Sequence, residues 1–178
     1  MRTASQETLR VVEERADAEF ARRTLQSGLA LVPFTAIYAA ATDIGQAFPG
    51  LFALHLVVTM CSYAVRLFWV RWGWPKYYAS RPRFWRHWHY AFVLTGTLSW
   101  SLLCALGASR FGFETWTGFM LFVFLVGYSA AAMTHLLAHF GFFVAQIAVS
   151  TVPMMIAVGL YWGQRAFMVD AVMCVYLF

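Results

Sequence analysis

The sequence predicts an all-α fold: a polytopic membrane helix bundle with six transmembrane helices, the sixth truncated, and a cytoplasmic N-terminus. Three observations carry this expectation. The 178 residues are 61% hydrophobic and only 12% charged, too little charge to cover a water-soluble domain of this size. Charge-free runs as long as a bilayer crossing recur along the chain. Lysine and arginine are distributed unevenly about those runs. Aromatic residues make up 19% and the mean hydropathy is +0.63, so lipid is the solvent this surface requires.

Residues 1–23 carry Glu7, Glu13, Glu14, Asp17 and Glu19 beside five arginines, which is not the leading region of a cleaved signal. Leu9, Val12, Ala16 and Phe20 recur there at helical spacing. The segment therefore predicts a cytoplasmic amphipathic helix that lies on the membrane surface or packs on a neighbour, with a simply solvated helix as the alternative. The transmembrane helical domain spans 24–178. Span one, 24–42, has no charge, and span two, 50–70, contains Arg66, whose long side chain is expected to snorkel back to the interface. Spans three and four, 89–109 and 115–133, flank the short turn SRFGFE, and span five covers 140–160. The last run, 167–178, is half a helix and reads as the truncation of a longer protein.

Orientation follows from the basic residues near the span ends. Arg2, Arg10, Arg15, Arg22 and Arg23 precede span one; Arg66, Arg71, Lys76, Arg81, Arg83 and Arg86 surround the connection after span two. Two crossings separate these groups, so both are expected in the cytoplasm, with Arg110 and Arg165 on the outer side.

The connection RWGWPKYYASRPRFWRHWHY, residues 71–90, interleaves basic and aromatic residues. Tethered to the bilayer at both ends, it reads as a membrane-interface loop, with Trp69, Trp72, Trp74, Tyr77, Tyr78, Trp85, Trp88 and Tyr90 at headgroup depth. Arg71, Lys76, Arg81, Arg83 and Arg86 are the candidate lipid-headgroup contacts, and nucleic acid is not a partner this pattern requires. Pro75 and Pro82 are expected to break helix within the loop.

Histidines supply a candidate metal site. His87 and His89 begin span three, and His135 and His139 lie four apart on one helical face near the cytoplasmic end of span four. No Cys or carboxylate joins them in sequence, a bare interfacial role competes with the metal reading, and no cofactor is assigned. Cys61, Cys104 and Cys174 are isolated within spans, without a CxxC pair, so reduced thiols are expected. No phosphate-binding glycine loop is present.

The intramembrane polar and helix-breaking residues are the candidates for a signal pocket and its coupling. Gln146 and Pro153 fall in span five, Asp170 about a turn into span six, and Trp100 in span three. A carboxylate at mid-membrane costs about 2.5–3.5 kcal/mol on insertion scales, so Asp170 is expected to face the bundle. Pro153 leaves the Val149 carbonyl without its usual donor, a source of either a hinge or a fixed bend. Pro33 in span one is equivalent. Gly127, Ala130, Ala131 and Thr134 in span four, and Gly96, Ser99 and Gly107 in span three, form small-residue strips suited to close helix approach.

The run YAVRLFWVRWGW, the basic aromatic connection, GTLSWSL at 96–102, GYSAAA at 127–132 and STVPMMIAVGL at 150–160 together resemble the six-helix, MASE-type membrane input regions of bacterial sensor histidine kinases and diguanylate cyclases. The resemblance covers the chain from about Arg22 onward. It implies a bacterial inner-membrane location, a homodimer, and a cytoplasmic output domain or response regulator as partner, with membrane lipids around the helices. No phosphoacceptor-histidine segment, ATP-binding glycine boxes or GGDEF run occurs in these residues, so no catalytic residue is carried over. The expected function is a sensory module of a sensor histidine kinase. Its rivals are a diguanylate cyclase input region, a truncated transporter, and a small His-centred membrane enzyme.

Overall fold

The computed structural model describes residues 2–112, 114–136 and 139–162. Among them 94% are helical and none lies in a strand. The order is α1 (Arg2–Ala41), the single turn α2 (Ile44–Ala47), α3 (Pro49–Phe68) continuing into a π-helical stretch (Trp69–Tyr78), α4 (Pro82–Phe111), α5 (Trp116–Leu136) and α6 (Phe140–Trp162). Among the described residues, four helices are long and apolar enough to cross a membrane: α1, α3 with its continuation, α4 and α6. α5 carries a shorter apolar stretch, Trp116–Tyr128. The expected sixth span, 167–178, with Asp170, lies outside the described residues.

Residues 1–23 do not form an element separate from span one; from Arg2 the backbone continues as one helix to Ala41. Its inner face runs through Asp17, Phe20, Ala21, Thr24, Thr35, Tyr38 and Thr42, all buried and spaced to share one side of a helix. The sequence-predicted apolar face is only partly used. Phe20 is 2% exposed, but Leu9 and Val12 are 61% and 58% exposed; before Ala16 it is Arg10, Glu13 and Glu14 that face the α3–α4 connection.

The connection between α3 and α4 corrects the expectation of a helix-broken loop. Pro75 sits inside the π-helical stretch, and Pro82 occupies the start of α4. Only residues 79–81 are non-helical. A proline ring collides with the carbonyl four residues back in an α-helix, and the backbone around Pro75 takes π turns instead. At the first position of a helix proline's missing N–H costs nothing. Trp69 and Trp85 then clamp the two arms, each indole N–H donating to the other's carbonyl, at 3.1 and 3.4 Å.

α4 is the central helix. Of its apolar stretch 56% is buried, against 22% for α1 and α3. The main core gathers Tyr38, Ile44, Trp100, Leu103, Cys104, Leu121, Leu125 and Met154. Two of the small-residue positions expected in span three act as such. Gly96 faces Ser62 Oγ, 3.5 Å from where a Cβ would lie, and at Gly107 a Cβ would come within 2.5 Å of Leu121 and 2.7 Å of Ile44. Gly107→Ala is therefore expected to overpack this corner and cost about 1–3 kcal/mol, read as a lowered midpoint on thermal unfolding of the purified protein. Gly127, by contrast, does not mark a close approach of another described helix: among the described residues nothing beyond its own local backbone lies within 4 Å of its Cβ position.

Candidate functional site

The site begins on α3, whose buried residues are all polar: His55, Thr59, Ser62 and Arg66. Their spacing of four, three and four places them on one face, while Leu54, Val57, Met60, Val65 and Phe68 point outward and are exposed. This is an inside-out amphipathic helix, apolar toward its surroundings and polar toward the bundle. Arg66 corrects the sequence expectation that it snorkels to the interface. Its side chain turns inward to 4% exposure, with Nε–H donating to the Ser62 carbonyl at 3.3 Å and Nη1–H to the Thr24 carbonyl at 3.1 Å. The absence of a side chain at Gly28 makes the room: a Cβ there would stand 2.5 Å from Arg66 Nη2.

Thr24 is a junction. Its hydroxyl reaches the Phe20 and Ala21 carbonyls, both at 3.0 Å, and lies 2.8 Å from His89 Nε2. With the Thr24 proton engaged by its own helix, His89 donates through Nε2–H and Nδ1 is left as the acceptor. The His89 ring stacks on Trp85 at 5.0 Å and 10°. One turn earlier, Phe20 packs edge-on against His89 and His139, at 5.3 and 5.1 Å.

One further turn toward the N-terminus, Asp17 is fully buried. Tyr78 Oη–H donates to its Oδ2 at 2.6 Å, and Arg86 donates to the same oxygen through Nη2–H at 2.7 Å and Nε–H at 3.2 Å. His139 Nε2 stands 3.3 Å from Oδ1. One carboxylate thus ties α1 to the π-helical stretch and to α4, with His139, the residue preceding α6, beside it. On the outer side of α1, Glu19 pairs with Arg22 and Arg23 at 2.6 Å. The hydrogen bond from Arg22, then that from Arg23, holds this exposed carboxyl down at about 2, so it stays charged.

Above this ionic end the helices enclose a cavity of about 520 Å³. All five long helices line it: Thr24 and Phe34 from α1, Thr59 and Arg66 from α3, Gly96 and Thr97 from α4, Phe124 and Tyr128 from α5, and Gln146 from α6. Tyr128 and Thr97 share a hydrogen bond of 2.9 Å. Thr59 Oγ1 and Gln146 Oε1 are buried there without a hydrogen-bond partner among the described residues.

Of the candidate pocket residues, Gln146 lines this cavity. Pro153 lines a second one, of about 460 Å³, with His55 and Ser99. Trp100 belongs to the core, in contact with Tyr38 and His55. Asp170 is outside the described residues. Arg71, Lys76, Arg81 and Arg83 are exposed, whereas Arg86 turns inward onto Asp17. Of the interleaved aromatics, Trp72 and Trp88 are exposed, while Trp85 and Tyr78 are buried and pack with Trp74. His87 is exposed and bonds its own helix at Arg83, His89 faces Thr24, His139 faces Asp17, and the side chain of His135 is not described. Among the described residues no three of His, Cys, Asp and Glu come together as a metal site.

Sequence reasoning missed Arg66 and Asp17 as site residues. The four-three-four spacing of His55, Thr59, Ser62 and Arg66 was the legible signal for the first. Nothing local distinguishes Asp17 from the other acids of its segment. Comparison with known proteins adds no likeness: no family model, no curated protein and no solved structure matches the chain.

Proposed function

We propose that the chain is the membrane-embedded sensory input module of a bacterial signal-transduction protein, a sensor histidine kinase, that crosses the inner membrane six times from a cytoplasmic N-terminus and works as a homodimer with a cytoplasmic output domain or response regulator. One observation carries the reading: a single cavity is walled by all five long helices. An occupant there touches every helix at once, so any difference in its fit between two helix arrangements shifts their populations. From the cavity, Arg66 is bonded to Thr24, and Thr24 lies two turns from the Asp17 network on the same helix. Occupancy thus has a short route, one hydrogen bond and two helical turns, to the basic end, where an output domain would attach.

The test is to express the complete reading frame that contains this chain, identify the catalytic domain it encodes, and assay it in membranes with Gln146→Leu beside the wild type. Output is expected to change at least about fivefold, the lower range of allosteric coupling. A kinase domain with the same activity in both proteins, or a reading frame without an output domain, would sink the proposal. A cyclase domain in its place would transfer the input role to a diguanylate cyclase.

A further inference from the structure

We infer that the Arg66 cavity binds a single-chain amphiphile with an anionic carboxylate or phosphate head, entering from the bilayer. This deepens the sensory reading by naming its ligand class. Among the described residues the head site is a buried cation without its counter-charge. Arg66 is 4% exposed, two of its five N–H donors are used, both on backbone carbonyls, and no carboxylate among the described residues is ion-paired with it. A charge in this state is costly unless something pairs with it. A guanidinium matches a carboxylate or phosphate through two parallel hydrogen bonds.

Two more unfilled groups line the same cavity. Thr59 and Gln146 are 3% and 5% exposed, and Thr59 Oγ1 and Gln146 Oε1 lack partners among the described residues. Buried polar atoms are rarely left so without a ligand or water to meet them. A threonine hydroxyl donates, and a glutamine amide turned about its last bond presents N–H, so both serve the same anionic head.

The remaining wall is suited to a tail. Leu31, Phe34, Val93 and Phe124 line the cavity, and Thr24 to Phe34 along α1 covers about 15 Å at the helical rise. A volume of about 520 Å³ is within the usual range of small-molecule sites. Ala30, Val123 and Gly127, which also line it, are exposed on α1 and α5. The opening therefore faces sideways, toward lipid, where a water-soluble anion would not arrive and an amphiphile would.

The experiment uses the full chain in phosphatidylcholine nanodiscs and measures binding of radiolabelled laurate. Saturable binding is expected, displaced by dodecyl phosphate but not by dodecanol, dodecyltrimethylammonium or inorganic phosphate. Arg66→Gln should weaken it at least about tenfold, the range for a hydrogen bond to a charged group. Gly127→Leu, which adds a side chain where no other described helix lies within 4 Å, should abolish binding with an unchanged thermal midpoint, and it decides the matter alone if Arg66→Gln does not fold. No saturable binding, equal displacement by dodecanol, or wild-type binding in Gly127→Leu would overturn the assignment. So would loss of laurate binding in discs containing phosphatidylglycerol, which would make a two-chain lipid the occupant. Binding is read without any output domain, so its failure leaves the input reading to its own assay.

Discussion

Asp17→Ala is expected to cost about 3–5 kcal/mol, because it removes the close, buried partner of Arg86 and leaves it only the exposed Glu13 at 3.8 Å. The carboxylate side chain is 0% exposed and Arg86 is 23% exposed, so water replaces little of what is lost. Tyr78 loses its acceptor at the same time. Denaturant unfolding of the purified protein reads the effect, and Arg83→Ala, at an exposed neighbour, should stay within about 0.5 kcal/mol of wild type. Combining Asp17→Ala with Arg86→Met should be less than additive, with a coupling of about 0.5–3 kcal/mol. Additive losses, or an Asp17→Ala protein as stable as wild type, would mean that the network does not hold α1 to α4.

Trp100→Ala should rank with it, at about 3–5 kcal/mol, through a different mechanism. Trp100 is 1% exposed at the centre of the core, with ring contacts to Tyr38 at 5.4 Å, Phe34 at 6.2 Å and His55 at 5.3 Å. Truncation leaves a void that helices fixed at both ends close only in part. Its indole Nε1 has no hydrogen-bond partner among the described residues, so Trp100→Phe forfeits volume but no bond and should be clearly milder. Equal losses for the two variants would show that the indole nitrogen, not the packed volume, supports this site.

How much of the site could be read beforehand differs from residue to residue. Gln146 was legible because an uncharged amide in an apolar run has few reasons to be there, and it lines the larger cavity. Pro153 was equally conspicuous but lines the second cavity, so the two do not form one pocket. Arg66 was visible and misread. Its place near the end of span two fits snorkelling as well as burial, and the choice depends on Gly28, on another helix, leaving room for the guanidinium. Pro75 was misread because proline's penalty was reckoned for an α-helix, and the backbone adopts π turns at that point.

The sequence by itself determined that the protein is all helical and apolar enough to cross a membrane, because both properties are written locally: helix in the spacing of side chains along one segment, membrane crossing in the length of charge-free runs. The spacing that puts His55, Thr59, Ser62 and Arg66 on one face of α3 within three turns is of the same kind, but that this face turns inward is not. Only the tertiary structure decided which charges are buried together. Asp17 meets Tyr78, Arg86 and His139 across sequence separations of 61, 69 and more residues, and the cavity exists only where five helices fail to fill the space between them. Contacts of that range depend on how the helices are arranged about one another, which residue spacing within any one of them does not specify.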